Sequence, residues 1–169
     1  MLKVLDTILS IVLLRKGPQD LPAGWLWLLV FMVAGYYLSV YQYQVIASVA
    51  TEPMGDGKNA AFIELIIQLT TISAVLMVAG RQSRLLQTLT AAMGVSLLFS
   101  VLLLPVLQFS IASGGNRGGG FLLALVAWSL AVYGHIFKHA LSITMAHGVG
   151  LAVALFIAQY LLALGLVSN

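Results

Sequence analysis

Few side chains in this sequence could do chemistry, and they fall in two places. The first is a histidine set, His135, His139 and His147, at the junction of two apolar segments. His135 and His139 are four apart and share a helical face, and His147 falls about one turn into the next segment. A hairpin at the junction would gather three imidazoles, a set that suits zinc or a proton-linked switch. No carboxylate in these segments can orient such a ligand or complete the set, and Lys138 adds a like charge. The histidines are therefore read as helix-end residues near lipid headgroups, with no metal assigned.

The second place is Glu64, with Gln68 and Thr71 continuing its helical face. An ionised carboxylate within hydrocarbon is costly, so it should face the bundle interior or a wet cavity. Glu64 lies about one turn from a polar loop, with Gln42, Gln44 and Gln68 as hydrogen-bond candidates. Two readings stay open: a hydrated carboxylate near the interface, or a group lining a polar path for a solute or coupling ion.

Other chemistries find no support. Cysteine is absent, which removes disulfides, thiolate nucleophiles and thiolate metal sites. The serines lack a Gly-x-Ser-x-Gly elbow, and no His-Glu-x-x-His pattern occurs. Residues 113–120 are glycine-rich but lack the Gly-Lys-Ser/Thr ending of a phosphate loop, so they read as a flexible connector. No enzyme activity, catalytic residue or cofactor is expected.

The elements that must position these groups are membrane helices. Of 169 residues, 61% are hydrophobic and 8% charged, against roughly 45–50% and about 25% in soluble domains. The expected fold is a single all-α membrane domain of five transmembrane helices, about 23–48, 60–79, 85–109, 121–139 and 143–166, after an N-terminal amphipathic interfacial helix at 1–14. In that first helix Leu2, Leu5, Leu9, Val12 and Leu13 oppose Lys3, Asp6, Thr7 and Ser10. It would extend about 21 Å, short of a hydrocarbon core of about 30 Å. Pro18 and Pro22 break it, and Pro105 should kink span three. Phe121–Val167 would extend about 70 Å as one helix, so a turn is placed within His135–Ser142, although no glycine or proline marks it.

Small residues suggest where helices approach. Ala127 and Ala131 precede His135 on one face, Ala146, Gly150, Ala154 and Ala158 form a ladder, and Ala92, Ser96 and Ser100 form a row in span three. In lipid, helix association rests on close packing, so these faces should meet another helix. Basic residues set orientation: Lys3, Arg15, Lys16, Arg81, Arg84 and Lys138 fall on one side, against Lys58 and Arg117 on the other. Six against two predicts a cytoplasmic N-terminus and a C-terminus on the opposite side.

Together, the N-terminal helix, five spans, the run Arg81-Gln-Ser-Arg84-Leu-Leu-Gln-Thr-Leu, Pro105, Trp128 and a hydrophilic turn before span five make the chain resemble the Yip-domain family. These are five-span proteins related to Rab-interacting membrane proteins. The resemblance implies a five-helix bundle and, in eukaryotic members, a role in membrane traffic. The long cytosolic N-terminal region of those members is missing here, so the chain is more similar to short prokaryotic-type members, which places it in a bacterial inner (plasma) membrane. The expected function is a non-enzymatic membrane protein that organises or assembles with partners, as a subunit of a larger complex or by self-association. The alternative is a small transporter or channel component with Glu64, Gln68 and Thr71 lining its path. The bilayer is the expected environment, and nucleic acid is not an expected partner.

Overall fold

The computed structural model describes residues 2–50, 55–113 and 119–167, all helices and connections. Glu52 and Pro53, and most of the glycine-rich connector with Arg117, lie outside the described residues. Six α-helices follow in order: α1 (Leu2–Val12), α2 (Trp25–Ala47), α3 (Gly57–Val78), α4 (Leu85–Ala112), α5 (Gly119–Leu141) and α6 (Met145–Val167). Among the described residues, α2 to α6 are five helices long and apolar enough to cross a membrane. The chain is an integral membrane protein of helical-bundle form. Its outer surface agrees: Trp25, Leu26, Val33 and Tyr37 on α2 and Phe156, Ile157 and Leu161 on α6 are exposed, apolar area that water would not tolerate in such continuity.

Successive spans run in opposite directions. The near end of the bundle carries the connections α1–α2, α3–α4 and α5–α6; the far end carries α2–α3 and α4–α5. At the far end Asp56 caps α3 by accepting the Lys58 N–H at 3.0 Å, which starts that helix at Gly57, earlier than expected from hydropathy. Pro105 neither ends α4 nor divides it, and the helix continues to Ala112.

The near-end turns share one device. After α3, Gly80 takes a positive φ of 66°, and Arg81 N–H reaches back to the Leu76 carbonyl at 2.8 Å. That six-to-one bond closes a Schellman motif. The same motif ends α5 through Ser142 (φ 60°) and the Ile143 N–H to Lys138 carbonyl bond of 3.1 Å. It also ends α1 through Leu14 (φ 59°) and the Arg15 N–H to Ser10 carbonyl bond of 2.8 Å. The α5–α6 turn thus falls at Ser142–Thr144, at the C-terminal edge of the expected window.

α1 does not float free of the bundle. Val4, Thr7, Ile8, Ile11 and Val12 are buried against α4 and α5, while Leu5, Leu9 and Leu13 are exposed. Thr7, expected on the polar side, is buried with its hydroxyl donating to the Lys3 carbonyl at 2.9 Å. Gly94 makes room for this docking, since a Cβ there would meet Ile8 Cδ1 at 2.6 Å and Phe31 Cε2 at 3.1 Å. The end of α1 and the segment after it are held by side chains of the bundle: Trp128 Nε1 donates to the Val12 carbonyl (3.2 Å), His135 Nε2 to that of Lys16 (3.0 Å) and Gln87 Nε2 to that of Leu21 (3.0 Å).

The small-residue ladder takes a different place from the one expected. Ala146, Gly150, Ala154 and Ala158 are all exposed, and nothing lies within 4 Å of a Cβ built on Gly150. Ala127 is exposed and Ala131 half-buried. Within the chain, α5 and α6 meet instead through Gly134 and Gly148: a Cβ on Gly148 would fall 2.2 Å from the Gly134 carbonyl oxygen. Ala140 and Ala152 are buried in the same contact region. Spacing showed a face of small residues but not which way the helix turns it.

Candidate functional site

Two of the three histidines are brought together, and the third is not. His135 is buried, and its Nε2–H donates to the Lys16 carbonyl, so this ring clamps the segment after α1. His139 lies edge-on to it with ring centroids 4.5 Å apart. His147 sits exposed in the first turn of α6, where its Nδ1 pairs with the Thr144 hydroxyl at 2.7 Å, beside the helix cap. Among the described residues no group of three potential metal ligands forms. The tight turn at Ser142–Thr144 starts α6 with His147 held by its own cap and away from the α5 pair.

The carboxylate leads to a more productive place. A cavity of about 390 Å³ lies between α3, α4, α5 and α6. Glu64 and Gln68 face it from α3, Ser96, Phe99 and Ser100 from α4, Leu122, Leu125 and Tyr133 from α5, and Leu155, Gln159 and Tyr160 from α6. Helix direction fixes its axis. Glu64, Leu122, Tyr160 and Ala163 lie toward the far end, whereas Ile72, Phe137 and Ala152 close it toward the near end. Those three are almost wholly buried, at 2%, 2% and 4% exposure, so the floor is packed side chain. Glu64 and Ile72 are roughly 12 Å apart along α3 at 1.5 Å per residue.

Glu64, Gln68, Tyr133 and Gln159 in the wall each have a defined partner. Tyr43 on α2 donates its hydroxyl to Glu64 Oε1 at 2.5 Å. Gln68 Nε2 donates to the Tyr133 hydroxyl at 2.8 Å, and that hydroxyl donates to the Ala92 carbonyl at 3.2 Å. Gln159 Nε2 donates to Thr71 Oγ1 at 2.6 Å, and Thr71 donates in turn to the Ile67 carbonyl at 2.7 Å. Glu64 thus takes Tyr43 as partner in place of the glutamines expected. Gln42 instead donates to the Ser100 carbonyl at 2.8 Å, tying α2 to α4. No buried side-chain donor or acceptor among the described residues lacks a partner.

Measured against family models, curated proteins and solved structures, the chain matches none. What the chain can do is therefore read from the cavity. Of the face expected from spacing, Glu64 and Gln68 line it, and Thr71 reaches it only through Gln159. Tyr133, Gln159 and Tyr43 were missed. Gln159 had a signal: it is the sole amide side chain in the last apolar segment, four residues from Leu155 on the face opposite the small-residue ladder. Tyr133 had none, because tyrosines in apolar segments are as readily interfacial.

The arrangement is that of a binding cavity, apolar over most of its wall with a few polar groups set into it. Ser129 in the wall donates to its own helix, to the Val126 carbonyl at 2.8 Å. Glu64, in contrast, uses one oxygen for Tyr43 and retains acceptor capacity for another donor, since an ionised carboxylate offers about four lone-pair sites.

Proposed function

We propose that this protein is a non-enzymatic membrane protein that binds a small amphiphile in the cavity between α3 and α6, as a small transporter or a component of one. The observation that carries the reading is the cavity with Glu64 at its far end. Its volume, about 390 Å³, lies within the range of about 300–1,000 Å³ usual for ligand sites, and its wall combines apolar side chains with a few polar groups. The apolar floor suits a hydrocarbon portion, and the carboxylate suits an ammonium or hydroxyl head. A fluorescent long-chain amine binding the protein in nanodiscs tests this. Glu64→Gln should weaken binding about tenfold or more, the value of a charge-assisted hydrogen bond. Equal binding by both proteins, or none by either, would overturn it.

A second reading, assembly with another chain, is supported by the outward ladder Ala146, Gly150, Ala154 and Ala158, which α5 leaves uncovered. Gly150→Leu should then change the oligomeric state in mild detergent while leaving the monomer folded. An unchanged state removes this reading.

The same proposal places the near end in the cytoplasm, as the basic residues favour. α1 is then an interfacial helix: its exposed leucines meet lipid, and Lys16 pairs with Asp6 at 3.0 Å on the watery side. Likeness to short Yip-domain proteins of bacterial inner membranes belongs to this proposal too, supported by five apolar helices following an N-terminal one. Reporter fusions at the two termini test the orientation, and a C-terminal fusion active in the cytoplasm contradicts it.

A further inference from the structure

A second cavity, of about 410 Å³, opens at the near end, lined by Gln19, Arg84, Lys138, His139, Ser142 and Ile143. It is remote from Glu64 and shares no residue with the first. Its lining holds two basic side chains, an imidazole, an amide and a hydroxyl, and no acid.

Arg84 is held in place by the end of α5. Its Nη1 donates to the His139 carbonyl at 2.7 Å, the Ala140 carbonyl at 3.1 Å and Ser142 Oγ at 3.1 Å. The remaining guanidinium donors, on Nε and Nη2, have no acceptor among the described residues. A guanidinium whose orientation is already fixed loses little freedom on pairing with an oxyanion. Lys138 makes no ion pair with a described residue, since the one such pair joins Lys16 to Asp6. Asp20, the acid on the neighbouring turn, accepts the Gly17 N–H at 2.9 Å.

We propose that this pocket binds the phosphate of an anionic phospholipid head group. The ligand chemistry is a phosphate oxyanion, and the pocket's place selects a lipid as its source. The pocket stands where α4, α5 and α6 begin or end, at the edge of the apolar spans, so a head group can occupy it while its chains stay along the exposed helix faces. Basic pockets between transmembrane helices recognise phospholipid head groups in this manner.

The test uses the purified full chain in nanodiscs of phosphatidylcholine with or without phosphatidylglycerol, read by native mass spectrometry and thermal unfolding. Wild type should retain phosphatidylglycerol in preference to phosphatidylcholine and be stabilised by it. Lys138→Gln should reduce the preference about fivefold, the effect of one basic residue at a membrane surface, and Lys138→Arg should restore it. Equal retention of the two lipids, or the same preference in Lys138→Gln, would overturn the proposal. Millimolar inorganic phosphate that alone reproduces the whole stabilisation would overturn the lipid as source. Should Lys138→Gln fail to fold, Asp20→Asn decides: removing the neighbouring negative charge should raise the preference, and no rise refutes the site.

Discussion

Gly148 and Gly150 stand two residues apart on α6, and the same substitution should move stability in opposite directions at the two positions. At Gly148 a methyl group would lie 2.2 Å from the Gly134 oxygen, 3.1 Å from its carbonyl carbon and 3.2 Å from the Lys138 nitrogen. All three are backbone atoms, and ordinary contact starts near 3.4 Å, so α5 and α6 must part by more than an ångström. Overpacking of this kind costs typically about 1–3 kcal/mol, and rigid backbone on both sides puts Gly148→Ala toward the upper figure. At Gly150 nothing lies within 4 Å, so the methyl meets open space. There alanine gains about 1 kcal/mol of helix propensity over glycine. With each kcal/mol worth roughly 2–4 °C in a chain of this size, Gly148→Ala should lower the melting temperature by about 6–12 °C and Gly150→Ala should raise it by about 2–4 °C. Thermal unfolding in one detergent, followed by circular dichroism, reads both. Equal shifts at the two sites would refute the assigned face of α6.

Leu14 occupies the left-handed region, which costs a side-chain-bearing residue roughly 1–2 kcal/mol, so Leu14→Gly should stabilise by about 1 kcal/mol in the same assay. Ser142→Gly relieves the same strain but removes an Arg84 acceptor, so it should be closer to neutral. Tyr133→Phe leaves Gln68 without its acceptor in the cavity wall and should destabilise by about 1–3 kcal/mol, visible as a lower melting temperature. His135→Leu should speed hydrogen exchange in α1 relative to α6, because it removes a bond worth about 0.5–1.5 kcal/mol between bundle and Lys16.

Hydropathy and helix breakers were enough to divide the chain. The spans expected at 23–48 and 85–109 correspond to α2 and α4, with shifts of a few residues at their ends. Pro18 and Pro22 marked the break between α1 and α2 because proline has a backbone preference of its own. Ser142 and Leu14 marked nothing, since a residue forced into the left-handed region by a helix end leaves no trace in composition. The docked side of α1 was equally hidden. Its apolar residues cover most of the circumference, and only packing against Gly94 and Phe31 decides that Ile8 turns inward and Leu9 outward. Glu64 and Gln68 were legible as a polar face because polar groups are rare in these helices. Their partners Tyr43 and Tyr133 come from other helices, and no spacing along one helix reports which neighbour it will have.

The three hydrogen bonds holding the end of α1 and the segment that follows it all end on main-chain carbonyls, those of Val12, Lys16 and Leu21. Every amino acid supplies that acceptor, proline included. The tether is therefore asymmetric under mutation: the positions it grips can change identity without releasing it, whereas Trp128, His135 and Gln87 have no such freedom. In a deep substitution scan, intolerance belonging to this joint should appear on α4 and α5, a long way along the chain from the segment whose attachment it protects.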